Sequence, residues 1–337
     1  MHTVLVLNPT SGISTLANNQ HTPEEVHDTI LAALHAHGIN PTVCYTTPDD
    51  PGQGLAQQAV QEGAELVIAA GGDGTLHAVA SGLIGTQCAL GIIPAGTMNN
   101  IAHSLEIPES IEEACAIIAR GSTSCIDVGK INDHIFLEVA GIGLEAVLFP
   151  AAEEIKSRGW LSTVHGIIDG LSALFAFRPT RFIALFDGRR RRRFKAIQVS
   201  ICNSPYYGAH LRFAPNAIMD DGFLDVLIYK NFSKLEYIRH AISIIQGRRA
   251  LEPKVVRRKI KTLSIYSTPS VEIHADGVPL GQTPATITVH PGVLRVCVPE
   301  SVTTGPHIVS PKQKRTQRYR QAKDTRLVEE KGPLHVS

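Results

Sequence analysis

The chain lacks the features that mark disulfide-rich, zinc-binding and membrane-spanning proteins. Its six cysteines are scattered and form no CxxC pair, which argues against a disulfide scaffold or a zinc site and favours a reducing cytoplasm. No apolar run approaches the roughly 18 residues that a membrane-spanning helix needs. The apolar run Val4–Leu7 follows no basic segment and breaks at Asn8-Pro9, so we expect a first β-strand there rather than a signal peptide.

Charge is nearly balanced over the 337 residues but is unevenly distributed. The whole chain carries 32 basic and 31 acidic residues, whereas residues 301–337 carry eight Lys/Arg and three Asp/Glu, a net charge of +5. We expect these residues to form a basic flexible tail. The tail serves either solubility or a weak, transient contact with anionic lipid at a membrane surface.

The length favours two domains, and the pattern of elements changes near residue 128. Strands and helices alternate over residues 1–128, and the strands are apolar throughout, which predicts an α/β domain with a doubly wound parallel sheet. Over residues 129–300 mostly short strands follow turn signals, which predicts a second, mainly antiparallel β-sandwich. The predicted strands of this second part include Phe194–Cys202 and Lys259–Ser267. Residues 144–177 form a largely apolar helical stretch, which is either helical core or a lipid-facing groove.

Five consecutive arginines, Arg189–Arg193, follow Asp187-Gly188 between two predicted strands. They are either a solvated hairpin tip or a contact for phosphate groups. The sequence has no basic strand interleaved with aromatic residues and no known nucleic-acid-binding spacing, so we expect no nucleic-acid partner.

Three glycine-bearing loops follow predicted strands of the first domain. They are Asn8–Gly12, Gly71–Thr75 and Pro94–Asn99. Loops at the carboxyl ends of parallel strands line one crevice, and glycine lets backbone N–H groups approach phosphate oxygens there. A carboxylate in such a cradle, Asp73, makes electrostatic sense if it holds Mg²⁺. The three loops therefore predict a site for a nucleoside triphosphate with its metal ion.

These motifs together resemble the soluble diacylglycerol kinase/sphingosine kinase family of lipid kinases, in its bacterial type. The resemblance rests on GGDGT at 71–75, NPTSG at 8–12 and PAGTMNNIA at 94–102, and it continues through Asp220-Asp221-Gly222 to Asp276-Gly277. It implies a Rossmann-like first domain similar to NAD kinases and phosphofructokinases, to which strands near residues 285–300 return. It also implies a second domain that binds lipid.

The resemblance assigns roles to individual residues. Asp73 and Asp276 match catalytic positions, and Asp276 lies where the family has its general base. Asp221 matches the ligand of a structural Mg²⁺, to which Ile218 and Phe223 contribute backbone carbonyls. The positions that match the ATP-binding loops are Asn8, Pro9, Thr10, Ser11, Gly12, Thr46, Gly71, Gly72, Asp73, Gly74, Thr75, Leu76, His77 and Thr97.

The chain departs from the family pattern at three positions. Asn100 stands where Asp is common, and His77 stands where Asn usually follows GGDGTL. Val278 replaces the Glu of the Asp-Gly-Glu motif, so the family's carboxylate base is missing and Asp276 is the nearest carboxylate in the sequence.

The expected activity is transfer of the γ-phosphoryl group of ATP to the hydroxyl of a diacylglycerol or sphingoid-type lipid. Such an enzyme would work in phospholipid biosynthesis, in the cytoplasm or at the periphery of a membrane. A non-catalytic nucleotide- and lipid-binding relative and an NAD kinase-like enzyme are the alternatives. Strand edges in the second domain would allow a homodimer.

Overall fold

A computed structural model of the chain describes residues 2–10, 23–147, 172, 174–208, 211–230, 232–246 and 254–300. The predicted site residues Ser11 and Gly12 lie outside these ranges, as do residues 148–171 of the predicted helical stretch and the predicted tail 301–337.

The first part of the chain forms parallel strands separated by helices. Nearly every residue of β1, β3 and β4 is buried, and strands with two apolar faces need helices on both sides. The parallel strands lie in the order β2-β1-β3-β4. The elements are β1 (Thr3–Leu7), α1 (Pro23–Ala36), β2 (Thr42–Tyr45), α2 (Gln53–Gln61), β3 (Leu66–Gly71), α3 (Asp73–Leu83), β4 (Ala89–Pro94), α4 (Asn100–Ser104) and α5 (Ile111–Arg120).

Helices cover both faces of these strands. Helices α2 and α3 belong to one core cluster, with Val79 and Leu83 of α3 fully buried, and α1 and α5 contribute Ile30 and Ile118 to another. This arrangement confirms the predicted doubly wound parallel sheet. Among the described helices, none has both the length and the apolar character to cross a membrane.

The second part of the chain is a β-sandwich, which confirms the predicted mainly antiparallel fold. One sheet has the order β12-β11-β10-β7-β14-β15, and Phe182, Ile201 and Ile265 belong to the core between it and the other sheet. The elements are β5 (Thr123–Ile131), β6 (His134–Phe136), β7 (Val139–Gly143), β8 (Thr180–Phe186), β9 (Arg190–Ala196), β10 (Gln198–Cys202), β11 (Leu224–Tyr229), α6 (Lys234–Ile245), β12 (Val255–Ile260), β13 (Thr262–Thr268), β14 (Glu272–Ala275), β15 (Val278–Gln282) and β16 (Ala285–Cys297).

The long strand β16 belongs to both parts of the fold. Its first half pairs antiparallel with β13, and Val296 near its end pairs in parallel with Leu90 of β4. One sheet therefore runs β2-β1-β3-β4-β16-β13-β8-β9, and β5 also pairs with β16. Strand β16 therefore joins the parallel strands of the first part and the antiparallel strands β13, β8 and β9 in a single sheet.

Two predicted strands are wrong in the same way. Phe194–Cys202 is divided at Ile197 between β9 and β10, which lie in different sheets, and Lys259–Ser267 is divided at Lys261 between β12 and β13. The chain bends at both positions without a glycine, proline, asparagine or aspartate, so the residue pattern carries no sign of the change of sheet. The predicted hairpin tip also differs, because Asp187-Gly188 form the turn and Arg190–Arg193 belong to β9.

Candidate active site

Asn8 joins the loop after β1 to the start of α3. Its side-chain amide donates to Thr75 Oγ1 over 3.1 Å, and its carbonyl oxygen accepts from the backbone N–H and hydroxyl of Thr10 at 3.0 and 2.9 Å. The Asn8 backbone N–H also donates to Ala70 at the end of β3. The first two predicted phosphate loops therefore lie side by side.

The loops after β3 and β4 touch through their backbones. A Cβ atom added to Gly96 would lie 2.3 Å from the Cα of Gly72, so this approach needs glycine at position 96, whereas a Cβ atom added to Gly72 would lie 3.3 Å from the Cα of Gly96. The Asp73 carboxylate accepts from the Ile101 N–H at the start of α4 over 3.3 Å. Asn99 closes the third loop by bonding the N–H and C=O of Gly96, both at 2.9 Å.

We predict that Gly96→Ala weakens ATP binding by at least about tenfold, because its new methyl group must push the loops after β3 and β4 apart. Isothermal titration calorimetry with MgATP measures the affinity, and circular dichroism checks the fold. An unchanged affinity in a folded variant would show that the contact between Gly72 and Gly96 is irrelevant to nucleotide binding.

Other predicted nucleotide-binding residues border the same edge of the sheet. Thr46 follows β2, is buried, and donates its N–H to Leu7 over 3.0 Å. Thr97 is exposed on the third loop, and Pro9 is exposed on the first. Leu76 differs, because it is buried in the core on α3 and so serves packing.

His77 on α3 connects these loops to the second sheet. Its Nε2 lies 3.8 Å from Asp276 Oδ2 and 3.3 Å from the backbone oxygen of Ile135. The His77 side chain is 29% exposed, whereas that of Asp276 is 9% exposed. Two predicted site residues that are distant in the sequence therefore meet where the two parts of the fold come together.

Asp276 is held firmly in place by backbone amides. Its Oδ1 accepts from the N–H groups of Glu138 and Val139 at 3.0 and 2.9 Å, and its Oδ2 accepts from Leu137 at 2.6 Å. Asp276 itself has a φ of 43°, a conformation that Asp tolerates better than most residues. Val278, which stands at the position of the missing Glu, is 56% exposed.

Asp221 belongs to a separate group of acidic residues around Asp127. Asp127 accepts from the N–H groups of Gly222 and Gly292 at 2.6 and 2.9 Å. Burial raises the pKa of the Asp127 carboxyl, those two hydrogen bonds lower it, and Asp221 and Asp220 raise it further. The Asp221 carboxylate also contacts the ammonium group of Lys259. The predicted metal ligand thus lies among an excess of acidic groups.

The structure also reveals a buried polar cluster that our sequence analysis does not include. Glu145 Oε2 accepts from Gln198 Nε2 over 2.7 Å and from the Ser200 hydroxyl, and its Oε1 lies 3.6 Å from His274 Nε2. Tyr237 donates to Gln198 Oε1. The alternation of polar Gln198 and Ser200 along an otherwise apolar strand is the signal that could have found this cluster.

The described ends of the predicted apolar stretch 144–177 have different environments. Leu144 and Leu174 are buried in one core cluster, which fits the interpretation of the stretch as helical core. Phe175 is 58% exposed, as a lipid-facing residue would be. Residues 148–171 lie outside the described part of the chain.

Comparisons with known proteins agree with the geometry of these loops. Residues 2–131 match the diacylglycerol kinase catalytic domain, and residues 139–298 match the YegS C-terminal NAD kinase beta sandwich-like domain. A diacylglycerol kinase from Mycobacterium tuberculosis is 31% identical over 255 residues, which cover 73% of this chain and 80% of that protein. A diacylglycerol kinase from Bacillus subtilis is 27% identical over 285 residues, which cover 83% of this chain and 90% of that protein.

A solved structure shares the whole fold. The crystal structure of a putative diacylglycerol kinase from Bacillus anthracis superposes with a TM-score of 0.70 at 26% identity, covering 90% of this chain and 98% of that one. The matched domains, the relatives and the shared fold lead to one conclusion: the chain belongs to the bacterial diacylglycerol kinase family.

Proposed function

We propose that this protein transfers the γ-phosphoryl group of MgATP to the hydroxyl of a diacylglycerol or sphingoid-type lipid at a membrane surface. The observation that carries the proposal is the contact of three phosphate-type loops through Asn8 and Thr75, Gly72 and Gly96, and Asp73 and Ile101. Membership of a kinase family supports the reaction class, and the names of the relatives support a diacylglycerol acceptor.

The loops would hold the triphosphate by backbone amides and hydroxyls. Phosphoryl transfer depends mainly on in-line positioning and on stabilising charge around the γ-phosphoryl group. Pro9, Thr10, Gly72 and Thr97 lie on these loops, Gly71 ends β3, and Gly74 and Thr75 lie in the first turn of α3. Asp73, the first residue of α3, would face the magnesium of the MgATP substrate. The N-terminus of α3 adds partial positive charge at the same place.

Asp276 would accept the proton of the attacking lipid hydroxyl. As the hydroxyl oxygen forms its bond to the γ-phosphorus, the bond to the β-phosphate oxygen breaks, ADP leaves, and the proton passes to Asp276. Its Oδ1 accepts from two backbone amides, whereas its Oδ2 accepts from one, that of Leu137, and faces His77, so Oδ2 is the oxygen for this role. The Glu of the family motif is missing here, so the carboxylate of Asp276 remains, and His77 would orient it.

The group around Asp221 fits a structural Mg²⁺ by the chemistry of its donors. Mg²⁺ is held through oxygen atoms and one or two carboxylates, and the nearby acids Asp127 and Asp220 favour a cation. Among the described residues no three acidic, His or Cys side chains are grouped for a metal, so Asp221 would act with the carbonyls of Ile218 and Phe223. Such an ion would neutralise charge and fix this loop.

We expect Mg²⁺ without nucleotide to raise the thermal unfolding midpoint of the wild-type protein by a few degrees, because a ligand of the folded state alone stabilises it. Asp221→Asn should remove this effect, whereas Asp133→Asn, at an acid whose side chain is 99% exposed, should keep it. Differential scanning fluorimetry measures the shift. An equal Mg²⁺ effect in wild type and Asp221→Asn would contradict the assignment.

The direct experiment is a transfer assay with radiolabelled ATP and a mixed lipid extract, with the products identified by mass. The proposal expects a labelled phospholipid monoester and matching release of ADP. Labelled NADP in a parallel assay with NAD in place of the lipid extract, without any labelled lipid, would replace the proposal by an NAD kinase activity. Absence of any labelled lipid, despite ATP binding, would contradict the proposed transfer.

A non-catalytic role is the second candidate, and Val278 is the observation that favours it. An exposed valine stands where a carboxylate base is expected from the family resemblance. In that case the protein would bind ATP and lipid without ADP release. A lipid-dependent release of ADP would exclude this alternative.

A further inference from the structure

The two sheets of the sandwich both end in strongly basic strands. Within the described residues, β9 is the outer strand of one sheet and carries Arg190–Arg193, and β12 is the outer strand of the other and carries Arg257–Lys259. We call Arg189–Arg193, Lys195, Arg257–Lys259 and Lys261 the basic corner. The two edges meet around a cavity of about 750 Å³ that Arg189, Arg190, Arg257–Lys259 and Lys261 help to line.

The arginines of β9 are available to a ligand. All of Arg189–Arg193 are exposed, and none of the five has an ion-pair partner among the described residues. The adjacent Asp187 carboxylate accepts instead from the backbone N–H groups of Lys261 and Thr262, at 2.8 and 3.0 Å. Five neighbouring guanidinium groups repel one another, and an array of anions would relieve that repulsion.

The sheet that ends in β9 has an outer face on which some of these arginines lie beside apolar side chains. Arg193 pairs with Ile183, which pairs with Tyr266, and Arg191 pairs with Leu185 in the same register. The inward residues of β8 fill the core, so these residues face outward. Tyr266 is 54% exposed, and Ile183 and Leu185 are partly exposed.

We propose that the basic corner and this outer face form a docking surface for anionic phospholipid bilayers. Cations flanking a tyrosine and aliphatic side chains match the boundary between lipid headgroups and acyl chains, where tyrosine is favoured and basic residues attract anionic lipid. The inference rests on the proposed function for its purpose, because an acceptor buried in a bilayer is reached only by an enzyme held at the surface.

Two other interpretations explain less of the surface. Charged residues on an edge strand prevent it from pairing with a strand of another molecule. That role explains the arginines, but it does not explain the exposed apolar residues beside them. A nucleic acid would use the cations and Tyr266, yet the aliphatic Ile183 and Leu185 offer its bases no stacking surface. The bilayer accounts for the charged and the apolar residues together.

The test measures binding of the full chain to phosphatidylcholine vesicles with and without phosphatidylglycerol by co-sedimentation. Arg191→Gln/Arg193→Gln should weaken binding to the anionic vesicles roughly thirtyfold. Arg120→Gln/Arg239→Gln, which removes the same charge from two exposed helical positions, should bind as wild type does. Residues 301–337, with their net charge of +5, are the same in all three proteins.

A second measurement separates docking from catalysis. With a short-chain diacylglycerol in solution, Arg191→Gln/Arg193→Gln should retain wild-type turnover and lose it only on anionic vesicles. If wild type binds the vesicles as expected but phosphorylates no lipid, docking is supported and only the proposed function fails. Equal vesicle binding by the three proteins, or binding of wild type to a single-stranded oligonucleotide and not to vesicles, would overturn the docking surface.

Discussion

Replacing Asp73 by alanine is expected to reduce ATP-dependent lipid phosphorylation by at least about a thousandfold, while the protein stays folded. Asp73 begins α3, and its carboxylate is bound to the N–H of Ile101, so it lies where the second and third loops meet. It is the one carboxylate in the three loops, and its loss would leave the magnesium of MgATP without a protein ligand there.

The matched control for Asp73→Ala is Glu113→Ala. Glu113 is exposed in the first turn of α5, so it is also an acid in the first turn of a helix but does not lie among the loops. The control should keep wild-type turnover, and both variants should show wild-type circular dichroism. Unchanged turnover in Asp73→Ala would remove the role of Asp73 at MgATP.

Asp276→Asn is expected to lower kcat by about a hundredfold to ten-thousandfold, the range for loss of a general base. The variant keeps one oxygen for the amides of Glu138 and Val139 but replaces the acceptor of Leu137 N–H by an amide group. We therefore also expect a lower stability, by about 1–3 kcal/mol. The loss of activity should exceed what this change in folding can explain.

Asp187→Asn provides the control for the structural part of that effect. Asp187 also has a positive φ, 49°, and its carboxylate also accepts from two backbone amides, but it lies at the turn between β8 and β9. The control should lose stability without losing kcat. Equal kcat values in Asp276→Asn and wild type, measured with soluble lipid at saturating ATP, would show that Asp276 is structural.

The parallel half of the fold is predictable from sequence because its strands are buried on both faces. Runs such as Val4–Leu7 and Leu66–Ala70 are then apolar at every position, and glycine marks the two loops that approach each other at Gly72 and Gly96. The sandwich is harder to predict, because the chain passes from one sheet to the other at Ile197 and Lys261 without a turn residue. Only contacts between distant strands decide where it changes sheet.

Helix α6 shows a local signal that our sequence analysis does not use. Ser233 and Glu236 form a reciprocal capping box in front of this helix, and their spacing is visible in the sequence. The contact between His77 and Asp276 has no such signal, because it depends on where the fold places α3 relative to the turn between β14 and β15. Each loop of the candidate site can therefore be predicted from the sequence, but the proximity of these loops to Asp276 cannot.

A crystal structure with Mg²⁺ and a non-hydrolysable ATP analogue would examine the phosphate cradle itself. We predict that the triphosphate lies between Asn8, Gly72 and Thr97, with its terminal phosphorus on the side of His77 and Asp276. A nucleotide whose phosphates bind elsewhere on the protein would contradict it.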